Sequence, residues 1–155
     1  MSPEAIPCNI FYDLLNSDWD ESNVTKPTIY KREEVEFEKF DLSGVLGVGT
    51  DVVIVYLDVM GESDLQRGNW TYKDVKAVIA IEIHVGYGVD DFSAGQQRLY
   101  NLMAEIRRIA YANIHDVSPF HLLRYTGFVP MMESEFGVWS GTCRINLESS
   151  GVVAQ

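Results

Sequence analysis

The apolar residues Leu99, Leu102, Met103, Ile106, Ile109, Ala110 and Ile114 recur at steps of three and four, and Arg98, Asn101, Glu105 and Arg108 fill the opposite side. That spacing is one stripe on a 3.6-residue period and predicts an amphipathic helix over 94–114. Ser93 and Gln96 stand at capping-box spacing at its start. A helix that is apolar along one side must cover an apolar surface, so the rest of the chain has to offer one.

The segment just before the helix offers it. Val75, Ala77, Ile79, Ile81, Ile83 and Val85 alternate with Lys76, Val78, Ala80, Glu82 and His84, which predicts a strand over 75–85 with a continuous apolar face. Asp51 to Leu57 is apolar on both faces and suits a strand covered on both sides. Over 28–40, Glu34, Glu36 and Glu38 alternate with Val35 and Phe37, the pattern of a strand with one wet face. The C-terminal part, 121–147, reads as a hairpin of His121–Val129 and Val138–Leu147. In its second strand Trp139, Cys143, Ile145 and Leu147 alternate with Ser140, Thr142, Arg144 and Asn146. Ser2 and Pro3 open an N-terminal helix over 2–16, with Ile6, Ile10 and Leu14 at helical spacing and Phe11 and Leu15 widening the stripe.

Residues 41–50 and 60–74 read as long connections and 148–155 as a loose tail. The element order is then α-β-β-β-α-β-β. It predicts a single α+β domain over 1–155, with a mostly antiparallel sheet of four or five strands and the long helix on one face.

A chain of 155 residues is one domain in size and buries roughly 70% of its unfolded surface on folding. The apolar runs Val52–Leu57 and Val78–Ile81 fall far short of the roughly 18 residues a bilayer crossing needs, so no membrane span is expected. Met1-Ser2-Pro3-Glu4 has no basic stretch or long apolar run after it, so a signal peptide is not expected either. The chain is expected to be made in a cytoplasm and used there or assembled there into a particle. Cys8 and Cys143 are expected to be small buried thiols. The net charge of −11, with 23 acidic against 12 basic residues, argues against a surface that grips nucleic acid by its phosphates.

No chemistry-bearing constellation emerges. Gly44 to Gly49 is followed by a β pattern rather than a helix, and no Gly-Lys-Ser/Thr is present, so it reads as a flexible turn and not a phosphate loop. His84, His115 and His121 lack metal-ligand spacing, and His115-Asp116 falls where helix caps fall. Glu82 and His84 share a strand face and form a conceivable acid–base pair, yet such pairs are common on the wet edge of a sheet. No Gly-x-Ser-x-Gly is present. The expectation is therefore no enzyme, no cofactor and no bound metal. Trp139 reads as core. Trp70 falls in a polar connection, where a large aromatic suits an interface anchor.

The pattern as a whole resembles the tail terminator and tail-completion proteins of tailed phages and related viruses. The resemblance runs over nearly the full chain. It rests on a first helix ending near Leu15-Asn16, Pro27-Thr28-Ile29 opening a strand, then Asp51-Val52-Val53-Ile54-Val55 and Val78-Ile79-Ala80-Ile81-Glu82-Ile83. It continues in Leu102-Met103-Ala104-Glu105-Ile106, Phe128, and Phe136-Gly137-Val138-Trp139 leading to Ile145. Proteins of that family form homohexameric rings that cap the tail tube and dock it to the head connector. The resemblance thus implies a structural virion protein whose partners are copies of itself, a tail tube protein and a head connector or neck protein. DNA would pass through without specific binding, and no membrane would be involved. The family has no catalytic residues to carry over. Subunit or tube contacts are expected from the two long connections, through Leu46, Val48, Arg67 and Trp70. A neck or tail-tube subunit, or a small-ligand-binding α+β protein, are the alternatives.

Overall fold

The computed structural model describes residues 5–31, 51–67, 70–86, 92–118, 120–133 and 138–154; of these, 5, 6, 60, 62–67, 70–73, 92, 131–133 and 150–154 are described by backbone alone. The elements are α1 (Ala5–Asp18), β1 (Thr28–Lys31), β2 (Asp51–Arg67), β3 (Trp70–Gly86), α2 (Phe92–Ala112), β4 (Leu122–Glu133) and β5 (Val138–Ala154). One sheet has the order β1-β2-β3-β5-β4, in which only the β1–β2 pair is parallel. The class is α+β, as the element order implied.

The core lies between the sheet and the two helices. β3 is the middle strand, and Ala77, Ile79, Ile81, Ile83 and Val85 all turn one way with no exposed surface. Leu99, Leu102, Ile106, Ile109 and Ala110 of α2 are equally enclosed against them and against Cys143, Ile145 and Leu147 of β5. α1 packs on β1 and β2, and α2 on β3, β5 and β4. The buried side of α1 is Cys8, Phe11 and Leu15, with Ile10 and Leu14 half-buried, so its stripe is centred one position further round than the spacing suggested. Val52 and Ile54, on the other side of β2, form a second small cluster with Val138.

Three expectations are corrected. Residues 60–74 are not a loop: β2 runs to Arg67, β3 starts at Trp70, and Arg67 pairs with Trp70 across Gly68 and Asn69. The tail is not loose either, since β5 continues to Ala154 and Ala154 pairs with Trp70. Together these segments form a three-stranded ribbon beyond the last core-packed residues Leu57, Val75 and Leu147. The stretch of β3 from Trp70 to Asp74 alone spans about 14 Å at the usual strand rise. Backbone ladders hold such a ribbon whatever its side chains, so its mixed composition did not betray it. Third, α2 starts at Phe92, which places Ser93 inside the first turn rather than ahead of it. Of the strand expected over 28–40, residues 28–31 form β1, and its remainder and the connection at 41–50 lie outside the described residues.

Candidate functional site

The densest polar cluster joins α1 to α2. The connection after α1 folds back on itself: Trp19 Nε1 donates to the Val24 carbonyl at 3.0 Å, and Asp20 Oδ1 accepts from the Ser22 amide at 2.9 Å and its hydroxyl at 2.6 Å. This presents the Asp20 N–H and the Asn23 amide to Glu105, which accepts from them at 3.3 and 2.8 Å. Arg108 completes the shell through Nε at 2.9 Å and through Nη2, which also donates to the Asp18 carbonyl at 2.7 Å. The Glu105 side chain is 1% exposed. Burial pushes its carboxyl up, but the bonds from Arg108, Asn23 and the Asp20 amide outweigh that and hold it below the usual range. Asn113 adds a bond to Asp18 Oδ2 at 2.7 Å.

The helical period put Glu105 among wet residues; it is instead the anchor of this joint. Asn23, Asn101, Ala104, Glu105 and Arg108 line a cavity of about 320 Å³ there. The carboxylate in that cavity already has four donors, so the cluster acts as a clamp between helices.

On the second face of the sheet, Glu82 and His84 are joined by residues from both neighbouring strands. His84 Nδ1 lies 2.8 Å from Ser140 Oγ, His84 Nε2 lies 3.5 Å from Glu82 Oε2, and the Tyr56 hydroxyl donates to Glu82 Oε1 at 3.1 Å. Glu82 and His84 are thus not at a sheet edge, as their pattern suggested, but half-buried on the middle strand. Serine, histidine and carboxylate in sequence suggest nucleophilic chemistry, which also requires free N–H donors for an oxyanion. Around Ser140 the described backbone is paired on both sides, with His84 of β3 and Met131 of β4, and those ladders engage the strand N–H groups there. The cluster is a cross-strand polar ladder. Ser140 was not singled out from the sequence; its place opposite His84 is set by the β3–β5 register.

A third polar contact closes one end of the sheet. Asp51, 8% exposed, accepts from Arg98 Nη2 at 2.5 Å. Burial raises its pKa against the pull of Arg98. Both cysteines are buried, and burial pushes the Cys143 thiol up to about 12 even though Tyr125 lies in hydrogen-bond range. Trp139 is core, 6% exposed. Among the described residues no three His, Cys, Asp or Glu side chains are grouped to hold a metal ion, and no helix is long and apolar enough to cross a membrane.

Of the expected contact residues, Leu46 and Val48 lie outside the described residues. Arg67 and Trp70 are brought together at the end of the ribbon, on strands rather than in a connection. Among the described residues the outer side of β4 pairs with no strand. No protein-family model and no curated protein sequence matches the chain.

Proposed function

We propose that this chain is a structural subunit of a homomeric ring, of six copies, that caps a viral tail tube and joins it to the head connector as tail terminators do. It acts by assembly and carries no enzymatic activity or cofactor. Its place is the head–tail junction of a virion assembled in the host cytoplasm.

The observation that carries this is the three-stranded ribbon of β2, β3 and β5 extending past the helix-covered core. A three-stranded ribbon that reaches beyond the helices gains stability when it rests on another subunit. Its described side chains fit that role, with Val59 56% exposed at its base. The −11 charge supports passage of DNA without adhesion, since an acidic lining repels phosphates. The test is removal of the protein from assembling particles. Tails of irregular length that fail to join heads are expected; normal tails on filled heads would overturn the assignment.

A further inference from the structure

Tyr100, Arg107 and Tyr111 lie at i, i+7 and i+11 on α2, so they share one side of the helix. That side faces β4. The Tyr100 ring meets Phe128 edge-on with centroids 6.1 Å apart, and Tyr111 meets Tyr125 in the same way at 6.0 Å. The strip is about 16 Å long, from 11 residues of helical rise. Tyr100 is 38% and Tyr111 56% exposed; with Val129 at 55% on the other face of β4, most of the exposed large apolar side chains among the described residues gather at this flank. Arg107 is exposed between the tyrosines and pairs with no carboxylate among the described residues.

Strand addition along β4 is blocked part-way. The bulge at Tyr125/Gly127, with Gly127 at φ 148°, bends the strand, and Pro130 has no N–H to offer. A partner at this flank therefore binds through side chains.

The opposite flank of the same molecule has the matching charge. α1 covers β1 and β2, at the other side of the sheet from β4. There Asp13 of α1 is exposed, as is Glu21 on the connection that follows it, and neither pairs with a cation among the described residues, while Lys26 and Lys31 are engaged with Asn16, Asn9 and Tyr12. We infer that the Tyr100–Arg107–Tyr111 strip is the docking surface for a second copy of this chain, which presents its acidic α1 flank. Each copy uses both flanks in a head-to-tail contact, the kind that closes into a ring. The inference rests on the ring assignment and names its contact.

Self-association of the full chain is measured by sedimentation equilibrium over a concentration series, with thermal midpoints confirming that each variant folds. Tyr111→Ala and Arg107→Glu are each expected to weaken association roughly tenfold or more, the effect of losing an interface anchor. Asp13→Arg/Glu21→Arg is expected to do the same, and combining it with Arg107→Glu to restore association. Assembly untouched by Arg107→Glu and Tyr111→Ala would overturn the strip and leave the ring standing. Loss in the single variants without rescue in the charge-swapped chain would overturn the α1 flank as the partner. A wild-type chain that stays monomeric at every concentration would count against ring and strip alike.

Discussion

Glu105 keeps its charge with almost no exposed surface because four donors from the α1–β1 connection and from Arg108 reach it. Glu105→Ala strands those donors and is expected to destabilise the fold by about 2–4 kcal/mol, with Glu105→Gln in between. The folded-state pKa lies below the unfolded one, so this stabilisation is present above the ordinary glutamate range and is lost as pH falls through the folded value. Melting midpoints should therefore converge between wild type and Glu105→Gln on acidification below about pH 4; a constant gap would contradict the assignment. Gly141 tests packing at similar resolution: a methyl there would sit 2.3 Å from Phe128 Cε2 and 2.4 Å from Cζ. Gly141→Ala is expected to lose about 1–3 kcal/mol by displacing the ring, and Phe128→Leu in the same chain to recover part of it. An unchanged midpoint in Gly141→Ala would show that the ring moves aside freely. Neither site was legible in the sequence. The helical period correctly placed Glu105 opposite the core stripe, with Arg108 one turn on, but Asp20 and Asn23, which complete its enclosure, lie more than 80 residues earlier, and nothing local announces them.

At the scale of elements, the stripe of α2 was legible because burial and period coincide: Leu99, Leu102, Ile106 and Ile109 are all fully enclosed. Ile106→Asp is expected to remove several kcal/mol by burying an unpaired charge. A soluble variant with the wild-type melting temperature would show that the stripe is not buried. β3 was legible for the same reason over 75–85, and its first residues were not, because Thr71, Lys73 and Asp74 make that stretch of sequence largely polar. The signals for the ribbon are weaker ones: a Gly68-Asn69 dipeptide of the kind that joins hairpins, and the β-branched pair Val152-Val153 near the C-terminus. Ending the chain after Leu147 strips β5 from the ribbon and leaves a two-stranded hairpin, which is marginal alone. Amide exchange of residues 70–76 is expected to rise sharply in that variant while the core amides around Ile79–Ile83 stay protected. Equal protection in both forms would mean that β5 does not hold the ribbon.

For the whole molecule, charge and shape point the same way. A surface of net charge −11 is expected to give no submicromolar binding to duplex DNA at physiological salt. Tight, salt-sensitive binding by the isolated chain would require a basic surface that the sequence does not suggest. The fold class was legible because the order of elements survives errors in their bounds. The route from fold to function was not, since an assembly surface of the kind proposed carries no motif. The most direct test of the central claim is the density for this chain in electron cryomicroscopy of assembled particles. A closed ring of six copies at the head–tail junction is expected, with neighbours in contact and DNA running through the centre. Isolated single copies, or copies anywhere but that junction, would contradict it.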